Sequence, residues 1–199
     1  MSIQRVIVFG VGAAGSNVLL NLVASNPGLD YVAVDFDVVE QRNVDAHTQN
    51  FTRADLGRPK VQAIQRIVQQ QFAKRIETHN IRVTTASDVL QTGANSTGLV
   101  IDCLDNAVSR NLLHRLRSHY DILHVGFSGQ LTGEAVWDGV WTNMAESKSD
   151  KAIDVCQLPL ARPFIMALTG AAALVASHFI STGEKRNVYF DARPAMRTY

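Results

Sequence analysis

The sequence predicts an α/β fold: a mostly parallel sheet with helices on both faces, and antiparallel strands added in the C-terminal part. Three observations carry that expectation. Short apolar runs alternate with segments of helical period from the N-terminus to Phe127, the pattern of repeated β-α units. The first run, Arg5-Val6-Ile7-Val8-Phe9, opens directly into a glycine-rich turn. Beyond Phe127 the style changes: Glu134-Ala135-Val136-Trp137 and Val140-Trp141 flank Asp138-Gly139, a hairpin-like turn signal.

The glycine turn reads Gly10-Val11-Gly12-Ala13-Ala14-Gly15, and an amphipathic segment follows from Ser16 to Ala24. Strand, glycine turn and helix is the context in which G-x-G-x-x-G carries meaning. Gly10 allows the tight turn out of the strand, Gly12 lets a phosphate approach the backbone, and Gly15 lets the helix pack close to the sheet. The free N–H groups at the helix start then face an anion. The bland alternative is a strand–helix corner without a ligand. Against it stands the next strand, Tyr31-Val32-Ala33-Val34, which delivers Asp35 at 20 residues after Gly15. That is the spacing of an acid that binds ribose hydroxyls, and it makes the predicted fold Rossmann-like.

The remaining elements follow in order. The first helix carries Val18, Leu19, Leu22 and Val23 and stops at Asn26-Pro27-Gly28. After Asp35-Phe36-Asp37-Val38-Val39-Glu40 comes a polar, irregular stretch from Gln41 to Arg58, longer than an ordinary connection and so a candidate functional loop. Pro59-Lys60 suits a first helical turn, and Val61, Ile64, Ile67, Val68, Phe72 and Ile76 form one helical stripe. Ile81-Arg82-Val83-Thr84 alternates like a strand, and Ser87 to Leu90 reads as a short helix. Leu99 to Leu104 is a buried strand ending at Asp105-Asn106, Ala107 to Tyr120 a helix, and Ile122 to Phe127 another strand. Thr142 to Asp154 is polar and reads as a mobile crossover, Pro159 to Ser181 as mostly helix, and Asn187-Val188-Tyr189-Phe190 as a closing strand.

Composition bounds the function. At 199 residues, 46% hydrophobic and 19% charged, the chain is expected to form a single domain, with a nucleotide-binding half over 1–130 and an antiparallel extension with a late helix over 131–199. A net charge of +1 argues for no nucleic acid or anionic membrane partner. No signal peptide pattern opens the chain, and Phe164 to Ile180 is read as too short and too polar for a membrane span. Cys103 and Cys156 suggest no disulfide framework and a cytoplasmic setting.

Taken together, Gly10-x-Gly12-x-x-Gly15, Asp35-x-Asp37-x-Val39-Glu40-x-x-Asn43, Gly57-x-x-Lys60 and Asp102-x-x-Asp105-Asn106 resemble the ThiF/MoeB/HesA superfamily, the adenylating domain of ubiquitin-activating-enzyme-like proteins. The resemblance implies an ATP- and magnesium-dependent adenylyltransferase, acting on the C-terminal carboxylate of a ubiquitin-like or sulfur-carrier protein, commonly as a homodimer. Apolar Leu22, Val23 and the helix over 164–180 offer a surface for a second copy, with a fully buried core helix as the other reading. It implies Asp35 at the ribose, Asn43 and Lys60 near the phosphates, and Asp105 at magnesium. Asp37 is equally readable as a site acid or a turn residue, Asn43 as a turn asparagine, Lys60 as an exposed lysine at a helix start, and Asp105 as a helix N-cap. Asp102 reads as structural, and Arg110 as fixing its helix against a neighbouring acid.

The residues agree with that chemistry. An attacking carboxylate is already ionised at pH 7 and needs no general base. The reaction needs positioning and neutralisation of phosphate charge. The chain offers glycines, acids at strand ends and cations on a loop, with no persuasive Ser/His/Asp set or glutamate dyad. Several family members use a cysteine on the crossover segment after adenylation, and Cys156 matches by place. A buried core edge beside Val155 and Leu158 is its other reading. Cys103, inside an apolar strand, is the poorer candidate.

Two departures bear on function. Where the family has an Arg-Gln pair, this chain reads Ala46-His47, which leaves Arg42 or Arg53 as substitute cations and leaves open a non-catalytic, nucleotide- or partner-binding member. The Cys-x-x-Cys pairs that hold zinc in many members are missing, so no structural zinc is expected. An NAD(P)-dependent Rossmann oxidoreductase is the alternative enzyme class, weakened by the lack of an evident hydride-site acid or substrate domain. The glycine-rich start is also similar to that of tubulin-like cell-division GTPases, but no second glycine-rich phosphate loop follows.

Overall fold

The computed structural model describes residues 3–94, 98–129, 131–137, 158 and 160–192. Seven strands form one sheet: β1 (Arg5–Phe9), β2 (Asp30–Val34), β3 (Glu77–His79), β4 (Gly98–Asp102), β5 (Asp121–Phe127), β6 (Thr132–Trp137) and β7 (Val188–Asp191). Their order is β3-β2-β1-β4-β5-β6-β7. Pairing is parallel from β3 through β5 and antiparallel from β5 to β7. The chain therefore winds outward from β1 to β3, then restarts on the other side with β4. That reversal puts the topological switch point at the carboxyl ends of β1 and β4, the place where ligands bind in sheets of this kind.

Strand alternation assigns the two faces. Val6 and Val8 join one core with Tyr31, Ala33, Leu99, Ile101, Leu123 and Val125, while Ile7 and Phe9 join the other with Val32, Val34, Val100 and Ile122. The first face is covered by α1 (Ala13–Ser25), α3 (Lys60–Phe72) and α6 (Ala161–Thr182), and the second by α4 (Ala86–Gln91) and α5 (Ala107–Arg115). A short helix, α2 (Gln41–Asp45), and a 3-10 turn (Arg53–Asp55) lie between β2 and α3, in the stretch expected to be irregular.

Three expectations change. The strand expected at Ile81–Thr84 is irregular, and β3 lies earlier. β2 ends at Val34, which pairs with His79, so residues beyond 80 have no neighbouring strand to bond; Val83 is instead buried against α4 and α5. The stripe of α3 stops at Phe72, because Ala73 turns left-handed at φ 52° and Ile76 enters β3 from outside the helix. Leu22 and Val23, offered as a surface for a second copy, are buried within the chain along with most of the inward face of α6. Those residues carry no argument for a dimer.

α6 is long and apolar enough by length and composition to cross a membrane, and half of its most apolar window is buried inside the domain. Its inward residues Leu168, Ala172, Ala176 and Phe179 are buried, with Ala172, Ala176 and Phe179 in the core that α1 also covers. Val140-Trp141, the expected crossover over 142–154 and Cys156 lie outside the described residues.

Candidate active site

The glycine turn is explained by two contacts and one opening. A Cβ on Gly10 (φ +83°) would lie 2.7 Å from the carbonyl oxygen of Cys103 at the end of β4, and one on Gly15 would lie 1.8 Å from the carbonyl oxygen of Gly10. Both glycines are therefore demanded by packing. A Cβ on Gly12 would meet nothing within 4 Å. Gly12 is also the N-cap of α1 and supplies no side-chain cap, so the helix presents its first N–H groups uncovered by a side chain. Open backbone at a helix start is the feature a phosphate requires.

Asp35 braces that turn. Its Oδ2 accepts the N–H of Val11 at 2.6 Å, and its Oδ1 accepts the N–H of Asp37 at 2.8 Å. Burial pushes its carboxyl above the usual range, against the nearby Lys60 ammonium and the two N–H donors, which favour the anion.

The long connection after β2 closes on itself. Val39 N donates to Arg58 O at 2.8 Å, Gly57 N to Val39 O at 2.9 Å and Lys60 N to Asp37 O at 2.8 Å. This short antiparallel closure brings Lys60 beside Asp37, with Nζ 2.9 Å from Asp37 Oδ2. The alternative reading of Lys60 as an exposed lysine at the helix start does not hold: it is buried, with 10% of its side chain accessible, while Asp37 remains 45% accessible. Asn43 is buried in α2, where its Oδ1 accepts the N–H of Glu40 at 2.8 Å. Of the proposed substitute cations, Arg42 pairs with Glu40 at 2.6 Å, and Arg53 is exposed on the 3-10 turn.

Asp105 stands just past β4. The capping role open to it is taken by Asn106, whose Oδ1 accepts Ser109 N–H at 2.9 Å. Asp105 is exposed and makes no hydrogen bond or ion pair among the described residues. Its loop is set from behind by Asp102, fully buried, which accepts Leu104 N–H at 3.0 Å and His124 Nδ1–H at 2.7 Å and lies 3.5 Å from Arg110 Nε. Asp102 thus faces inward and Asp105 outward. Among the described residues no group of three His, Cys, Asp or Glu could hold a metal ion. One exposed carboxylate fits magnesium, which takes one or two carboxylates and completes its shell with phosphates and water. Cys103 is half-buried, and burial together with the Asp102 charge pushes its thiol far above the range of a nucleophile.

Three further anchors hold the site through contacts with remote residues. Asn17 Nδ2 donates to Ala13 O at 2.7 Å and to Thr48 O at 2.9 Å, tying α1 to the loop after α2. Asp55, fully buried, accepts both Thr52 donors at 2.9 Å, Arg66 Nη2–H at 2.8 Å and Arg66 Nε–H at 3.0 Å, pinning the loop to α3. Arg162 Nη1, from the first turn of α6, donates to His47 O. Thr48, Arg66 and His47 are remote partners that no local pattern reveals, whereas Thr52-x-x-Asp55 has the local spacing of a capping box.

The comparisons with known proteins agree with this fold. No curated protein matches. Among solved structures, E. coli MccB with MccA-N7isoASN superposes with a TM-score of 0.70 at 13% identity, over 94% of this chain and 64% of that one. E. coli MccB with ATP gives 0.64 at 14% identity, over 94% and 63%. The selenomethionine form of PaaA gives 0.69 at 19% identity, over 94% and 64%. The chain spans about three-fifths of the length of these proteins. At such identities the likeness shows the fold: a Rossmann-like sheet, mostly parallel, with antiparallel strands at its C-terminal end. The ThiF family profile matches residues 1–193, and with the glycine turn, Asp35, Lys60 and Asp105 gathered at one end of that sheet, the chain belongs to the ThiF family.

Proposed function

We propose that this protein is an adenylyltransferase that activates a carboxylate with ATP. The observation that carries the reading is a buried ammonium, Lys60, and a free carboxylate, Asp105, set on either side of one open glycine turn. Family membership and a neighbour solved with ATP support it. In this reading Asp35 accepts the ribose hydroxyls with the lone pairs left by Val11 and Asp37. Gly12 and the start of α1 receive the phosphates, and Lys60 swings its charge from Asp37 to the polyphosphate. Asp105 would hold magnesium, which would supply neutralisation of phosphate charge during the transfer, and Asn43 in α2 is proposed to stand near the phosphates. The carboxylate oxygen bonds to the α-phosphorus and the bond to the bridging oxygen breaks, releasing pyrophosphate. No proton moves, because the nucleophile is already an anion.

The finer reading is a ubiquitin-like or sulfur-carrier protein, or a peptide, offering its C-terminal carboxylate; the MccB structures held with MccA support a partner of this kind. A cytoplasmic homodimer and a covalent carrier species on Cys156 belong to the same proposal, on the family resemblance. ATP–pyrophosphate exchange dependent on an added carrier tests the activity. Tight NAD binding without ATP binding in calorimetry overturns it. A monomer in light scattering with full activity removes the dimer. A covalent species that survives Cys156→Ser on a non-reducing gel removes that thiol.

A further inference from the structure

The first turn of α6 lies against the first turn of α1. Ala13 shares one apolar cluster with Ala161, Phe164 and Ile165, and at the far ends of the same helices Asn26 Nδ2 donates to Ser177 Oγ at 2.9 Å. The helices therefore run parallel, and both begin at the carboxyl end of the sheet. Arg162, the second residue of α6, is exposed and reaches the carbonyl of His47 through Nη1. The next residue, Thr48, is tied through Asn17 to Ala13 O. One nitrogen of the guanidinium is thus fixed beside the opening of α1, at the uncapped Gly12 turn.

Charge gives this placement its meaning. Of the side chains gathered at the turn, Asp35, Asp37 and Asp105 are acids and Lys60 is a cation already paired with Asp37. A polyphosphate entering that set meets net negative charge. An arginine in the first turn of a helix is also opposed by the helix dipole, unless an anion sits between them. A guanidinium carries five N–H donors in a fork suited to phosphate. Among the described residues His47 O is the one partner Arg162 has, and it occupies a single nitrogen.

We propose that Arg162 is a phosphate-binding residue, reaching from α6 to the polyphosphate held by the glycine turn and supplying the second cation of the site. This rests on the nucleotide-site reading above. The site is then completed by an element more than 100 residues away in sequence from Lys60.

The test is calorimetry on the whole chain with MgATP and with adenosine, at low and high salt, for wild type, Arg162→Gln and Arg162→Lys. Glutamine keeps a donor for His47 O and removes the charge; lysine keeps the charge. We expect Arg162→Gln to weaken MgATP by about tenfold or more, to flatten its salt dependence, and to leave adenosine unchanged. Arg162→Lys should retain most of the affinity. The proposal is overturned if Arg162→Gln leaves MgATP affinity intact, if it weakens MgATP and adenosine alike, or if lysine is as damaging as glutamine. If Arg53→Gln reproduces the loss and Arg162→Gln does not, the cation is Arg53. Wild type that binds no MgATP removes the nucleotide reading itself, and this proposal with it; binding by wild type with an indifferent Arg162→Gln removes only the role of Arg162.

Discussion

Asn106, and not Asp105, caps α5: Asn106 Oδ1 lies 2.9 Å from Ser109 N. The adjacent carboxylate is released from helix duty, so that on the proposed function stability falls to Asn106 and chemistry to Asp105. Asp105→Asn should abolish magnesium-dependent pyrophosphate exchange and leave the urea midpoint unchanged. Asn106→Ala should cost about 1 kcal/mol of stability through the lost cap. Equal destabilisation by both substitutions would remove the division.

Lys60→Ala should lower adenylation by about a hundredfold or more, the scale of a lost phosphate clamp. Because Lys60 is buried along its stem, a stability cost of about 1 kcal/mol is expected as well. Its partner Asp37 remains 45% accessible and is left to solvent, which keeps that cost small. Exchange kinetics and urea melts on the same preparation separate the two effects. Unchanged turnover would take Lys60 out of the site.

Gly12 and Gly15 should respond oppositely to alanine. At Gly15 the new Cβ would fall 1.8 Å from Gly10 O, a backbone collision that should cost about 3 kcal/mol or more and distort the turn. At Gly12 the new methyl meets nothing within 4 Å, so the fold should lose no more than about 1 kcal/mol while nucleotide affinity falls. Thermal melts with and without MgATP distinguish the two: ligand-induced stabilisation is lost in a still-folded Gly12→Ala.

Asp55 should make stability depend on pH. Burial would raise its carboxyl, but the Thr52 donors and the Arg66 guanidinium outweigh this and hold it below the ordinary range. A depressed carboxyl contributes stability above its unfolded value and loses it as pH falls through the folded value. Asp55→Asn should therefore cost about 2 kcal/mol at pH 7 and progressively less below the ordinary carboxylate range. Urea denaturation of both proteins across that range checks the sign; a gap that widens in acid would contradict it.

Much of this site is legible along the chain because its parts are local. The glycine turn, the strand that enters it and the acid one strand later are set by spacing. The sheet repeats the strand alternation that sends Val6 and Val8 to one face and Ile7 and Phe9 to the other. Spacing failed where a partner was needed. Ile81–Thr84 has strand-like alternation, but β2 ends before it can pair. Ile76 has the helical period, but Ala73 ends the helix first.

The sequence by itself determined the class of fold, the glycine turn that leaves β1, and the choice of Asp35, Lys60 and Asp105 as the residues proposed for the site. Only the tertiary structure decided that Lys60 is buried beside Asp37, that Asn106 frees Asp105, and that Arg162 reaches the carbonyl of His47. The reason is physical. Strand and helix periods arise from neighbouring residues, whereas burial, ion pairing and cap assignment depend on which remote surfaces meet. Here, the closure of residues 37–39 on 57–60 and the parallel packing of α6 on α1 decide them.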